Sequence, residues 1–460
     1  MATKPDNTTL ERRHFSTSRL LDFLSRKELI AQTGHQVREW PLVCLKELMD
    51  NALDACEEAG IAPQISIEVD DTTLSVSDNG PGIPVSVIAS TVDFAIRVSS
   101  REAYVSPSRG AQGNALKTLV AMPFVLTGGG SVFVESLGVR HEIKISVDRI
   151  RQVPKIDHVQ TKSDVTISTK IAIEWPKKAC LNDNEENANS YKSGEGRNEK
   201  ACLILSASKS RFLQMAEDYC WLNPHLTLSI HWGDDNISVQ ASNLTWSKWL
   251  PSMPTDSHWY SNEEFERLIA ANICHEDRLV REFVSEFRGL SGTAKQKQVL
   301  ESVGLARTKL SELVVDGAIN NKVVGKLLAA MQSASTPVKP AALGVLGEEH
   351  LLNRCGAMGA DPASFNYKKV LNTEGLPWVL ETCFAYCLEE GEPRRIITGV
   401  NWSPGIVNPF RQLGSLGKSL DSILENQRIG RDEPVVFVLH IASPKVSYAD
   451  RGKSSIIVEE

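Results

Sequence analysis

Apolar residues recur at intervals of three and four at Leu42, Leu45, Leu48, Met49, Ala52 and Cys56, a spacing that predicts one long helix from Leu42 to Ala59. Trp40 and Pro41 open it and Gly60 supplies the stop. A shorter periodic stretch, with Leu20, Leu21, Phe23, Leu24 and Leu29, predicts a helix behind a polar first dozen residues. "QISIEVDDTTLSVSDNG" alternates on either side of Asp-Asp-Thr and predicts a hairpin. Residues 84–127 carry helical pattern around a Gly-rich loop, and "SVFVESLGVRHEIKISV" and "TISTKIAIEW" alternate as strands. A helix over 203–220 and a hairpin over 226–241 around "WGDDN" follow. Helices mixed with antiparallel strands, without strand-helix-strand alternation, predict an α+β sandwich.

The texture changes near residue 255. "NEEFERLIAANI", "EDRLVREFVSEF", "TAKQKQVLESVG", "ARTKLSELV" and "NKVVGKLLAAMQ" read as short amphipathic helices in succession. "SASTPVKPAALG" breaks that pattern, and in the last part "RRIITGVNW" and "PVVFVLHIAS" are strands flanking a helix over "FRQLGSLGKSLDSILEN". Residues 181–200, rich in Asn, Glu, Gly and Ser, have almost nothing to bury and read as a solvated loop or insertion. There is no internal repeat.

Composition narrows the class. At 460 residues, 42% hydrophobic and 23% charged, the chain is an ordinary folded protein of several domains. A net charge of −7 gives no global attraction to nucleic acid, so any DNA contact must come from a local patch or a partner. Nine cysteines without a CxxC pair argue against both a disulfide framework and a zinc ribbon. Cys383 and Cys387, one helical turn apart, read as core residues. No leader pattern opens the chain and no apolar run reaches the ~20 residues of a membrane span, so the expectation is a cytoplasmic protein without membrane contact.

Candidate chemistry starts on the long helix. Glu47, Asn51 and Asp54 place a carboxylate, an amide and a second carboxylate along one edge. A solvated face would account for that alone. "SDNGPGIP" at 77–84, however, puts an acid at a strand end, with glycines that let a flat ligand approach the backbone. "SRGAQGNALKT" at 108–118 offers backbone N–H groups and a helix N-terminus to phosphate. Each motif is weak by itself, but three in this order make a nucleotide site the stronger reading.

"ELMDNALDA", "DNGPGI" and "RGAQGNALKT" together resemble the GHKL ATPases, whose pocket is the Bergerat fold. Within them the chain resembles the B subunit of type IIB DNA topoisomerases, through "KELMDNALDACEEAG", "VSDNGPGIP", "SSR" before "SRGAQG", "LNPHLTLSI", "PAALGVLGEEHL" and "HIASPKVSYADRGK". The resemblance implies an N-terminal strap (1–36), an ATPase domain (37–245), a helix-two-turn-helix module (246–338) and an α/β transducer (339–460). It implies Glu47 as general base, Asn51 as a Mg²⁺ ligand, Asp78 on the adenine amine with Thr169 supporting that edge, and Asp54 behind the site or near the ribose. Gly82, Ser108, Gly110, Gln112 and Gly113 would shape the lid and cradle phosphate, and Lys453 would reach the γ-phosphate. The implied cofactors are ATP and Mg²⁺. The implied partners are a second copy of the chain on ATP binding, a DNA-cleaving A-type subunit and duplex DNA.

Two features depart from the family pattern. Ala115 stands where that subunit has a further glycine, and "GNALKT" looks more like the MutL lid; Lys117 there could touch phosphate, although an exposed helix lysine is the plainer reading. The chain also ends at Glu460, seven residues after Lys453, before the helix that docks the A subunit. These features favour the alternative of a stand-alone ATPase switch in DNA repair or defence, used as MutL is. A relic scaffold, the third possibility, is opposed by intact Glu47, Asn51 and Asp78. "GSLGKS" and "DRGKSS" lack the first glycine of a Walker A loop, with Gln412 and Ser447 at that place. His35, His141, His225 and His440 have no partners at motif spacing, and Trp221, Trp246, Trp249 and Trp259 read as packing.

Overall fold

The structure, a computed structural model, describes residues 24–91, 104–110, 115–148, 150, 153–175, 204–388, 393–413, 418–449 and 454–457. Its first part contains α1 (Arg26–Thr33), α2 (Trp40–Glu58), β1 (Gln64–Val69), β2 (Thr73–Asp78), α3 (Val85–Thr91), α4 (Ala115–Thr127), β3 (Ser131–Ser136), β4 (Val139–Asp148), β5 (Val153–Lys162), β6 (Thr169–Glu174), α5 (Ile204–Leu222), β7 (Thr227–Trp232) and β8 (Asp235–Val239). These strands form one sheet in the order β5-β4-β3-β6-β2-β1-β7-β8, antiparallel except where β1 lies parallel to β7. Its alternation is physical: Ile65, Ile67, Leu74, Val76, Val132, Val134, Ile171, Ile173, Leu228 and Ile230 all point into one core with α2, α4 and α5. Each such side chain contributes about 1.5–3 kcal/mol on burial. The opposite face carries polar pairs such as Lys170 Nζ with Glu68 Oε2 at 2.7 Å. Helices thus cover one face of a mostly antiparallel sheet, the expected α+β sandwich.

Local chemistry fixes the elements that position the site. Pro41 sits in the first turn of α2, where a missing N–H costs nothing, and Gly60 ends the helix at φ +68°. The β1–β2 turn closes because Asp70 Oδ1 accepts from Thr72 N and Thr73 N, both at 2.7 Å.

The second part holds α6 (Asn262–His275), α7 (Val280–Ser285), α8 (Thr293–Val303), a two-residue hairpin of β9 (Val314–Val315) and β10 (Ala318–Ile319), and α9 (Asn321–Ala334). The third holds α10 (Glu348–Ala357), β11 (Asn366–Asn372), β12 (Trp378–Tyr386), β13 (Arg395–Val400), β14 (Ser403–Pro404), α11 (Leu420–Asn426) and β15 (Val435–Ala442), with sheet order β11-β12-β15-β13-β14. One hydrophobic core crosses the division expected at 338, joining Trp259, Phe265, Phe283 and Phe287 to Val379, Ile397, Trp402 and Val438. The four tryptophans expected to pack include three buried ones, Trp221, Trp249 and Trp259.

The structure corrects several expectations. "ARTKLSELV" is no α-helix: its backbone bonds outward, Val280 N to Thr308 O and Leu310 N to Arg278 O, both at 2.9 Å, which leaves one 3-10 turn at Leu310–Leu313. The helix expected from Phe410 starts only at Leu420, where Ser419 caps it by accepting from Ser422 N at 3.1 Å. β5 and β11 carry no strand signal in the sequence, because both are edge strands, largely exposed, and lack an apolar alternation. β12 was hidden by Glu381, fully buried on its inner face and accepting from Leu346 N at 2.9 Å, Gly347 N at 3.0 Å and Tyr367 Oη at 2.7 Å. Cys383 therefore stands on a strand, not one helical turn from Cys387, and its Sγ lies 3.9 Å from Cys355 Sγ.

Candidate functional site

On α2 the residues Glu47, Asn51 and Ala55 form a row four apart, which a helix stacks on one face over about 12 Å. Glu47 is half-buried and Asn51 exposed. The far end of the row meets the turn after β2: a Cβ placed on Gly80 would stand 2.9 Å from Asp78 Oδ1, 3.4 Å from Cys56 Sγ and 3.6 Å from Ala55 Cβ. A side chain at Gly80 would have to displace the Asp78 carboxylate, which glycine leaves in place. The two acids, Glu47 and Asp78, therefore mark opposite ends of one helix face.

Asp78 is itself constrained. Burial pushes its carboxyl up to about 6, against the opposing pull of the Gly80 and Thr169 backbone N–H groups. The Gly80 bond is 2.8 Å, and Thr169, buried, is the cross-strand neighbour of Asp78. Gly82 adopts φ +86°, and a Cβ there would come within 2.7 Å of Leu137 Cδ2 and 2.8 Å of Ser136 Oγ. Ser136 Oγ accepts from Ile83 N and donates to Ser168 O, both at 2.8 Å, fixing the loop against β3.

Of the remaining expected site residues, Ser108 and Gly110 are partly buried, and Lys117 is buried at 8% exposure, which corrects its reading as an exposed helix lysine. Gln112, Gly113 and Lys453 lie outside the described residues.

Asp54 belongs to a buried ion cluster behind the row. Arg109 Nη1 donates to Asp54 Oδ1 at 2.7 Å and to Glu57 Oε2 at 2.6 Å, while Nη2 donates to Glu57 Oε1 at 2.7 Å and to Asn223 Oδ1. Lys248 Nζ and His225 Nε2 reach the same Glu57 at 3.0 and 3.1 Å. Burial alone would raise the Glu57 pKa, but the Arg109 and Lys248 charges outweigh it and hold this carboxyl well below the usual range. Burial keeps the His225 pKa low. A second cluster joins α2 to β14: Asp50 accepts from Ser403 Oγ at 2.8 Å and Tyr219 Oη at 2.8 Å, with Lys46 Nζ at 3.1 Å. Sequence reasoning missed these partners. Glu57, Arg109, Asn223 and His225 lie in the quoted stretches "CEEAG", "SRG" and "LNPH", so a signal existed; Lys248 had none. His440 likewise has a partner that spacing could not show, the buried Glu381 at 3.6 Å.

Residues 37–171 match the family of histidine kinase-, DNA gyrase B-, and HSP90-like ATPases. Over 433 residues the chain is 24% identical to the B subunit of type 2 DNA topoisomerase 6 from Archaeoglobus fulgidus, covering 90% of this chain and 66%, just under two thirds, of that one. It is 24% identical over 450 residues to the corresponding protein of Metallosphaera sedula, covering 90% of this chain and 75% of that one. The Halobacterium salinarum protein of the same name is 41% identical over 102 residues, 21% of this chain and 12% of that one. Among the described residues no helix is long and apolar enough to cross a membrane.

Proposed function

We propose that this chain, which carries an ATPase domain of the histidine kinase, gyrase B and HSP90 type, is an ATP-hydrolysing subunit that closes as a dimer on duplex DNA and works beside a separate DNA-cleaving chain. The observation that supports it most is the row of Glu47, Asn51 and Ala55 ending against the Asp78–Gly80 turn, because one extended nucleotide can span its two ends.

In this reading Asp78 accepts a hydrogen bond from the adenine amine, beside the Thr169 hydroxyl, and the glycine turn at Gly80 and Gly82 lets the base lie close to the backbone. Ser108, Gly110, Gln112, Gly113 and Lys117 line the phosphate side, with Lys453 contributing from the last part of the chain. Glu47 holds a water by accepting its hydrogen bond and takes its proton as oxygen attacks the γ-phosphorus; the broken bond leaves its electron pair on the departing ADP oxygen. The donor set fits a hard cation, since Asn51 offers an exposed neutral oxygen that can share Mg²⁺ with phosphate and water. When bound, that ion neutralises phosphate charge.

The topoisomerase-type role rests on likeness along 90% of the chain to proteins named as topoisomerase B subunits, and implies a cytoplasmic site of action. The test is sedimentation of the full chain with a nonhydrolysable ATP analogue and Mg²⁺, with and without duplex DNA, alongside steady-state ATPase. Nucleotide-dependent dimers and DNA-stimulated turnover are expected. A monomer that never hydrolyses ATP would overturn the proposal, and turnover indifferent to DNA would leave the stand-alone switch.

A further inference from the structure

The stretch from Tyr104 to Gly110 contains Ser108 and Gly110, which the ATPase reading puts on the phosphate side, and along its length it is fastened to both other parts of the molecule. Tyr104 Oη donates to Glu286 Oε2 at 2.8 Å, Val105 N donates to Tyr260 Oη at 2.9 Å, and Thr255 Oγ1 donates to Val105 O at 3.0 Å. These three partners belong to the helical part. Further along, Asn401 Nδ2, between β13 and β14, donates to Ser108 O at 3.3 Å. Arg109 then inserts its buried guanidinium between Asp54 and Glu57 of α2 and Asn223 after α5. Lys248 Nζ reaches Glu57 Oε2 at 3.0 Å and lies 4.8 Å from the centre of the Trp402 ring. Two cations face two carboxylates, a balance that holds only while all four stay in place. At Gly110 an added Cβ would meet nothing within 4 Å among the described residues.

We propose that residues 104–110 are a strap through which the helical part and the second sheet set the phosphate-binding loop, with Arg109 and Tyr260 as positioning residues for ATP turnover. This rests on the ATPase reading above, and it gives the helices from 262 to 334 a role, because a shift of that layer acts on Ser108 and Gly110 through Tyr104 and Val105. By linkage, nucleotide binding must tighten the helical contacts as much as those contacts favour nucleotide.

The test uses the full chain. Tyr260→Phe removes one oxygen and keeps the ring among Phe265 and Phe287, and Arg109→Lys keeps the charge but loses the planar fork. Tyr260→Phe is expected to raise KM for Mg·ATP by up to about 10-fold, the most that one neutral hydrogen bond carries, with kcat less affected and the thermal midpoint lowered by only a few degrees. Arg109→Lys is expected to raise KM further. A nonhydrolysable ATP analogue should slow hydrogen exchange at residues 78–82 and also at 255–260 in the wild type, and only at 78–82 in Tyr260→Phe. Unchanged KM in both variants, a lowered midpoint with KM intact, or protection that never reaches 255–260 overturns the strap while the ATPase reading stands. A wild-type chain that neither binds the analogue nor hydrolyses ATP overturns both.

Discussion

Two adjacent rows of α2 carry similar residues and meet opposite fates. Glu47, Asn51 and Ala55 stay half-buried or exposed, and Ala55 at the end of that row meets the turn of Asp78. Lys46, Asp50, Asp54 and Glu57, about 100° around the helix, are drawn against other layers, the three acids each at 8% exposure or less. Asp54 and Glu57 are held there by Arg109, and Asp50 by Ser403 and Tyr219. The difference is one of solvation. A carboxylate meant to meet substrate and water needs an open side, whereas one meant to hold layers together must exchange its water for fixed donors, and loses heavily if one donor goes. In the proposed function the same helix therefore joins the reacting end of the nucleotide to a buried joint between layers.

Substitutions along the two rows should separate these roles. In the first row, Glu47→Ala should lower kcat for ATP by about 10²–10⁴-fold while leaving nucleotide binding and unfolding nearly unchanged, as single-turnover hydrolysis and calorimetric titration would show. A wild-type rate would remove that row's claim to chemistry. Glu57→Ala in the second should do the reverse, costing about 3–5 kcal/mol in denaturant unfolding because Arg109 and Lys248 would remain buried with excess charge. A loss below about 1 kcal/mol, the level of an exposed pair, would mean the cluster is solvated in solution.

The acid at the end of the first row gives a pH signature. With its carboxyl near 6, Asp78 is protonated below that value and loses acceptor strength, so analogue affinity should fall as pH drops through 6, by up to about tenfold per unit. The stability of the free chain should shift the other way. Between about pH 4 and 6 the folded Asp78 binds protons that the unfolded chain releases, so this group favours folding on acidification. Affinity flat from pH 7 to 5 would show that the ionised form is not needed. The smallest effect belongs to Ser403→Ala, about 1 kcal/mol of stability, since Asp50 keeps Tyr219 and Lys46; no change at all would mark the β14 contact as incidental.

Much of the first part was legible because periodicity and punctuation agreed there. Pro41 and Gly60 bracket α2, Asp70 turns the β1–β2 hairpin, and the buried alternation of Ile65, Ile67, Leu74 and Val76 needs only a local window. Legibility failed where a strand lay at an edge, as in β5 and β11, or where a buried acid such as Glu381 interrupted the apolar face of β12. For the proposed site, motif order puts Glu47, Asn51 and Asp78 forward as candidates, and the structure sets Glu47 and Asn51 on the face of α2 whose Ala55 meets the turn after Asp78. Lys117 is buried rather than exposed, and nothing in the spacing of α4 says which side a neighbouring layer covers.

What the sequence determined by itself is most of the elements of the first part and a set of polar residues that are candidates for nucleotide chemistry, since helix period, strand alternation and glycine turns act over a few residues. Only the tertiary structure decided which charges on α2 remain in water and which are paired away from it. That choice depends on Arg109, Asn223, Lys248 and Ser403, which arrive from 52 to 353 residues away along the chain, and electrostatic pairing is set by distance in space, which no local pattern encodes.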